Sequence, residues 1–183
     1  MIENQCFSKQ AHVKTFTYIK NTIKVSQKHT YTTSDYMEWS TMLNLVRRLY
    51  RDGYFRISLL VGCGCFFGLR ISDLLSLTWE MLLEGDSFMI QEKKTGKRRI
   101  IRINPNFRLH IEDCFNALDI RNKSEKCFLS KKKVVYSIQR INVILKEIRE
   151  RYNLKIEHFS THTFRKTFGR QVVEHQGIIA KWH

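Results

Sequence analysis

Gly68-Leu69-Arg70-Ile71-Ser72-Asp73-Leu74-Leu75-Ser76-Leu77-Thr78-Trp79 is the stretch on which the reading of this chain turns. It follows an apolar run, Ile57 to Phe67, that reads as a mostly buried helix closed by Gly68. Arg70 therefore leaves a buried element directly, and Leu74, Leu75 and Leu77 anchor the segment that carries it. A cation held in that way is fixed in place by its flanks.

Working outward, Thr33-Ser34-Asp35 has the form of a helix start. Trp39, Met42, Leu43, Val46, Leu49 and Tyr50 follow at helical spacing, and Gly53 ends the pattern. After Trp79 the period changes. Phe88-Met89-Ile90 and Arg99-Ile100-Ile101-Arg102-Ile103 are short β-prone runs, joined by Lys94-Thr95-Gly96-Lys97 as a hairpin turn. Pro105 ends the second run, and Phe107 to Leu118 reads as a helix. Arg121 to Lys133 reads as a basic loop around Cys127-Phe128-Leu129. Ser137 caps a helix with Ile138, Ile141, Leu145, Ile148 and Tyr152 on one stripe. Ser160-Thr161 open a last helix, expected to run to about His175 with Gly177 just past its end. Phe164, Phe168 and Val172 face the core, and His162 and Arg165 share another face. The expected fold is α+β, mainly α, with a small antiparallel β-sheet. Residues 1–32 read as a basic tail or linker, and residues 33–183 as one domain.

Charge sets the partner class. Lys and Arg number 32 against 17 Asp and Glu, a formal net charge of +15 in 183 residues. Such an excess attracts a polyanion, with nucleic acid ahead of an anionic membrane surface. The run Ile57 to Leu69 is shorter than the ~20 apolar residues of a membrane span. Met1-Ile2-Glu3-Asn4-Gln5 lacks the layout of a signal peptide, so a cytosolic protein is expected. The 5 cysteines have no framework spacing. Cys63 and Cys65 read as small buried thiols on a packed helix, with a redox or zinc pair as the alternative.

Three segments in order carry a resemblance: the Arg70 stretch, the hairpin with Lys94, and His162-Thr163-Phe164-Arg165-Lys166-Thr167-Phe168-Gly169. In order and context they resemble the catalytic boxes of the tyrosine recombinase (phage integrase) family, over roughly Thr33 to Gly177. The last of them is similar to integrases of bacterial mobile elements. The resemblance implies the catalytic-domain fold of that family, gripping duplex DNA in a C-shaped clamp with a second domain. It implies strand exchange through a 3′-phosphotyrosine in a tetramer of protomers. It also implies action on bacterial DNA, at the nucleoid.

The chemistry suits these residues. Exchange of a phosphodiester without metal requires the non-bridging oxygens to be neutralised, and arginine does this with a planar fork that keeps its charge. Arg70 and Arg165 fill that need, Lys94 can protonate the leaving 5′ oxygen, and His162 can orient groups or shuttle protons. No cofactor is implied, since these cations take over a metal's charge work. Each residue has an ordinary alternative. Arg70 can pair with Asp73 on the surface. Lys94 can be a plain phosphate contact, with Lys93 and Lys97 as neighbouring candidates, and His162 can be a capping histidine. His158 and His162 stand at i, i+4, but Phe159 replaces the glutamate of a zinc-protease helix, so no metal site is expected. Lys93, Lys97, Arg98, Arg99 and Arg102 crowd the hairpin, while Arg121, Lys123, Lys126, Lys131, Lys132 and Lys133 crowd the later loop. With Lys166 they are candidate phosphate contacts.

Against the family pattern, little precedes Thr33, and Trp182 and His183 follow Arg165 too soon to form the next box. The chain stops at His183, before the family's nucleophilic tyrosine, so the fold is expected to be incomplete at its C-terminus. The last tyrosine, Tyr152, belongs to the core stripe of an earlier helix. Two functions follow as expectations: a DNA integrase whose catalysis belongs to the full-length form, or a catalytically inert DNA-binding fragment or regulator derived from that family.

Overall fold

The computed structural model describes residues 35–180, with side chains as far as Glu174. The expected tail, Cys6, Thr33, Ser34, Trp182 and His183 lie outside the described residues. The elements run α1 (Trp39–Arg51), α2 (Phe55–Phe67), α3 (Ile71–Leu74), α4 (Trp79–Leu83), β1 (Ser87–Gln91), β2 (Arg98–Arg102), α5 (Pro105–Ala117), α6 (Ile138–Arg151) and α7 (Thr161–Ala180).

Helix α2 is apolar on nearly every side because it is surrounded, packing against α1, α5 and α7. Small residues let two neighbours come close. Phe107 of α5 lies over Gly62, and Phe164 of α7 lies over Gly64. Met42, Leu45, Val46 and Leu49 form the buried stripe of α1. β1 and β2 pair antiparallel with Met89 opposite Ile100, turning Phe88, Ile90 and Ile101 inward, and the Phe88 ring meets Phe67 edge-on at 5.4 Å. Two helix starts show side-chain capping. Asn104 Oδ1 accepts the N–H groups of Asn106 and Phe107 ahead of α5, and Ser137 Oγ accepts from Arg140 in α6.

The mainly helical class, the hairpin, the closure of α2 at Gly68 and the buried Cys63 and Cys65 agree with the sequence reading. Four details differ. α1 begins at Trp39, because Asp35 gives its carboxylate to the N–H groups of Glu157 and His158 instead of a helix of its own. A short helix, α4, precedes β1, started by Thr78 Oγ1 accepting from Met81. α7 continues through Gly177 to Ala180. One glycine costs a helix only about 1 kcal/mol against alanine, too little to end it without a following proline. Finally, Ile138 is 40% exposed, so the buried stripe of α6 starts at Ile141.

The segment 121–135 is pinned rather than loose. Cys127, Phe128 and Leu129 are buried, Cys127 donates to the Leu77 carbonyl, and Arg56 donates to the Cys127 carbonyl at 2.6 Å.

Candidate nucleic-acid interface

The site is built around the end of α2. Gly68 has φ +59°, and a Cβ there would lie 2.3 Å from the Phe168 ring, so both backbone and packing call for glycine. Its carbonyl accepts from Arg165 Nη1 at 2.8 Å, which ties α7 to the turn carrying Arg70. Arg70 follows in extended backbone as the residue before α3, and its carbonyl accepts from Asp73 and Leu74. Its side chain does not pair with Asp73. Arg70 Nη1 instead donates to Glu92 Oε2 at 2.6 Å.

Asp73 serves the hairpin. It is fully buried, and its Oδ1 accepts the backbone N–H of Lys93 at 3.0 Å, while Oδ2 has no partner among the described residues. Glu92 is the other anchor. Its Oε2 also accepts from Thr95 Oγ1 at 2.8 Å, and its Oε1 accepts from Arg99 at 3.1 Å. Its backbone closes the turn, donating to the Lys97 carbonyl and accepting from Gly96. The Thr95 hydroxyl first, then Arg70 and Arg99, hold the Glu92 carboxyl down at about 2. A depressed acid stabilises the fold above its unfolded value and loses that contribution as pH falls toward its folded value. Stability should therefore fall between pH 4.5 and about 2, and Glu92→Gln should flatten that decline in urea unfolding measured at several pH values.

On α7 the buried face is set by threonines. Thr161 donates its N–H to Asn142 Oδ1, Thr163 bonds back to the His158 carbonyl, and Thr167 Oγ1 accepts from Met37 N–H at 2.8 Å. With Phe164 buried among them, His162 and Lys166 are left exposed and Arg165 half-buried. His162 sits one turn before Arg165 and has no hydrogen-bond or ion-pair partner among the described residues.

Contacts thus link the segments of three sequence candidates. Arg165 bonds the carbonyl of Gly68, two residues before Arg70, and the turn that carries Lys94 joins Arg70 through Glu92, while His162 lies one helical turn before Arg165 on α7. Lys93, Lys94, Lys97 and Arg98 are exposed around the turn, while Arg99 is drawn into the Glu92 network. Lys131, Lys132 and Lys133 are exposed in a separate turn closed by Ser130 and Val134. Lys126 is spent on structure, donating to the Ser76 carbonyl. Tyr152 is 5% exposed, as expected of core, and donates to Asp52 Oδ2 at 2.7 Å. Sequence reasoning missed Glu92, and it saw Asp73 only as a partner for Arg70. A signal for Glu92 existed: it is the sole carboxylate between Asp86 and Glu112, inside a basic hairpin.

Among the described residues no helix is long and apolar enough to cross a membrane. The sequence matches the Phage integrase family over residues 38–180. The fold is similar to that of XerA recombinase, with a TM-score of 0.64 at 16% identity, covering 79% of this chain and 52% of that one. It is similar to lambda integrase residues 75–356 bound to DNA (TM-score 0.58, 14% identity, covering 78% and 52%). It is likewise similar to the Tn1549 transposon integrase in complex with circular intermediate DNA (TM-score 0.57, 15% identity, covering 81% and 55%). The chain spans about half the length of these structures. No curated protein sequence matches it significantly.

Proposed function

The chain belongs to the phage integrase family, and from that premise we propose that it binds duplex DNA and supplies the phosphate-activating residues of a site-specific recombinase of a mobile element. Arg70 and Arg165 bind the non-bridging oxygens of the scissile phosphate. Lys94 gives its proton to the leaving 5′ oxygen, and His162 orients the reacting groups. The attacking tyrosine forms a 3′-phosphotyrosine in the full-length form. Tyr152, buried and bonded to Asp52, is not that group. Residues 33–183 are the catalytic domain, and residues 1–32 a basic lead-in. Among the neighbours in fold, lambda integrase is solved as a tetramer bound to a Holliday junction. Further protomers on duplex DNA, in a bacterial cell, are the proposed partners here.

The observation that supports this reading best is the convergence of Arg70, Arg165 and the Lys94 turn on the end of α2. The exposed Lys131-Lys132-Lys133 turn adds a second cationic surface. A catalytically inert DNA-binding protein or regulator derived from that family is the second reading.

Anisotropy of a labelled duplex at several salt concentrations tests the binding. Affinity should fall steeply with salt, and replacing Lys131, Lys132 and Lys133 by alanine should lower the slope of log K on log salt by up to about 3. Affinity no greater than that of an unfolded polycation of equal charge would sink the proposal.

A further inference from the structure

The Glu92 carboxylate sits where an anion is least expected, against the guanidinium proposed to receive a phosphate. It is 8% exposed and holds two arginines and a threonine hydroxyl at once. It engages only Nη1 of Arg70 among that side chain's nitrogens, so the remaining N–H edge stays available. The Arg70 side chain is 31% exposed. Glu92 and the buried Asp73 offset Arg70 and Arg99, and the exposed Lys93, Lys94, Lys97 and Arg98 of the same turn leave the cluster net positive, so the field still favours a phosphate. The same residue closes the turn bearing Lys94, through its bonds to Lys97 and Gly96.

The geometry points to Glu92 as a positioning residue for phosphate recognition: it fixes the plane of the Arg70 guanidinium and sets the Lys94 turn relative to it, through one carboxylate. The inference rests on the proposed role of Arg70 as a phosphate ligand. A long, flexible cation pre-set in this way loses less rotamer freedom on binding DNA. Arg99 plays the supporting part, occupying Oε1 so that Oε2 remains aimed at Arg70 and Thr95.

The test is a double-mutant cycle on DNA affinity. In the native background Arg70→Ala should weaken binding of a labelled duplex about tenfold, as expected for loss of a charged hydrogen bond. In the Glu92→Gln background the same substitution should cost less than about threefold, because an unfixed Arg70 contributes little beyond its charge. Glu92→Gln alone raises the net charge by one and so tends to strengthen non-specific binding, an effect the cycle cancels. Glu92→Asp, which keeps the charge but withdraws it by one methylene, should shrink the Arg70 penalty in the same direction. It also carries the cycle if Glu92→Gln does not fold. Equal Arg70 penalties in native and Glu92-substituted backgrounds overturn the positioning role while leaving the proposed function standing. No Arg70 penalty in the native protein overturns the phosphate-ligand reading itself, and the role of Glu92 with it.

Discussion

Gly64→Val is expected to lower the melting temperature by about 10 °C, the consequence of about 3 kcal/mol of overpacking in a chain of this size. A Cβ at Gly64 would lie 2.5 Å from Phe164 Cδ2, 2.7 Å from Cγ and 3.0 Å from Cβ. Because the contact includes the Phe164 Cβ, rotating the ring does not relieve it. Phe164 is 1% exposed, so there is also no solvent space to rotate into. α7 as a whole must move off α2. That helix carries His162 and Arg165, and the Arg165 bond to the Gly68 carbonyl spans the same interface. Gly64→Val should therefore lose DNA affinity as well as stability. Gly64→Ala is the milder companion, its clash partly offset by about 1 kcal/mol of helix propensity. Thermal melts followed by circular dichroism decide the matter. A Gly64→Val melt within about 2 °C of native would show that α2 and α7 are not in close contact at this point.

Replacing Arg70 and Arg165 together by alanine should weaken duplex binding about a hundredfold while leaving the protein folded. Each arginine is proposed to make charge-assisted bonds to one phosphate, worth about 1.5–3 kcal/mol apiece, so two of them reach this range even with imperfect additivity. The cost to the fold is smaller. Arg165→Ala removes one bond to a carbonyl at a helix end, about 1 kcal/mol. Arg70→Ala leaves Glu92 still held by Arg99 and Thr95. Arg51→Ala is the charge control, since its side chain is 76% exposed at the C-terminal end of α1 and its ion-pair partner among the described residues is Asp52. If the double variant binds within about threefold of the Arg51 variant, the two arginines act as bulk charge and not as ligands.

Much of the fold could be read locally. α2 announced itself by its apolar run and closing Gly68, α6 by Ser137, and the hairpin by its branched residues around Thr95-Gly96. What misled was the use of polar groups at long range. Asp35 reads as part of a helix start but bonds residues 157 and 158, more than a hundred positions away. The candidate site divides in the same way. Its cations lie in recognisable segments, so Arg70, Lys94, His162 and Arg165 could be picked out in sequence. The acids that hold them in register could not. Asp73 reaches Lys93 across twenty positions, and Glu92 reaches Arg70 across twenty-two. Local spacing offered Asp73 to Arg70, three residues apart. The fold instead buries Asp73 beneath the hairpin and gives Arg70 the carboxylate of another element.

The central claim is that Arg70 and Arg165 meet the DNA backbone together, beside the Lys94 turn. Titrating the isotopically labelled protein with a short duplex and following the arginine side-chain Nε–H resonances tests this most directly. The expected result is that the Arg70 and Arg165 signals shift along one binding curve, accompanied by the backbone amides of residues 93–96. If both arginine signals stay fixed while the amides of residues 131–133 move, DNA binds this chain elsewhere, and the account of the site is wrong.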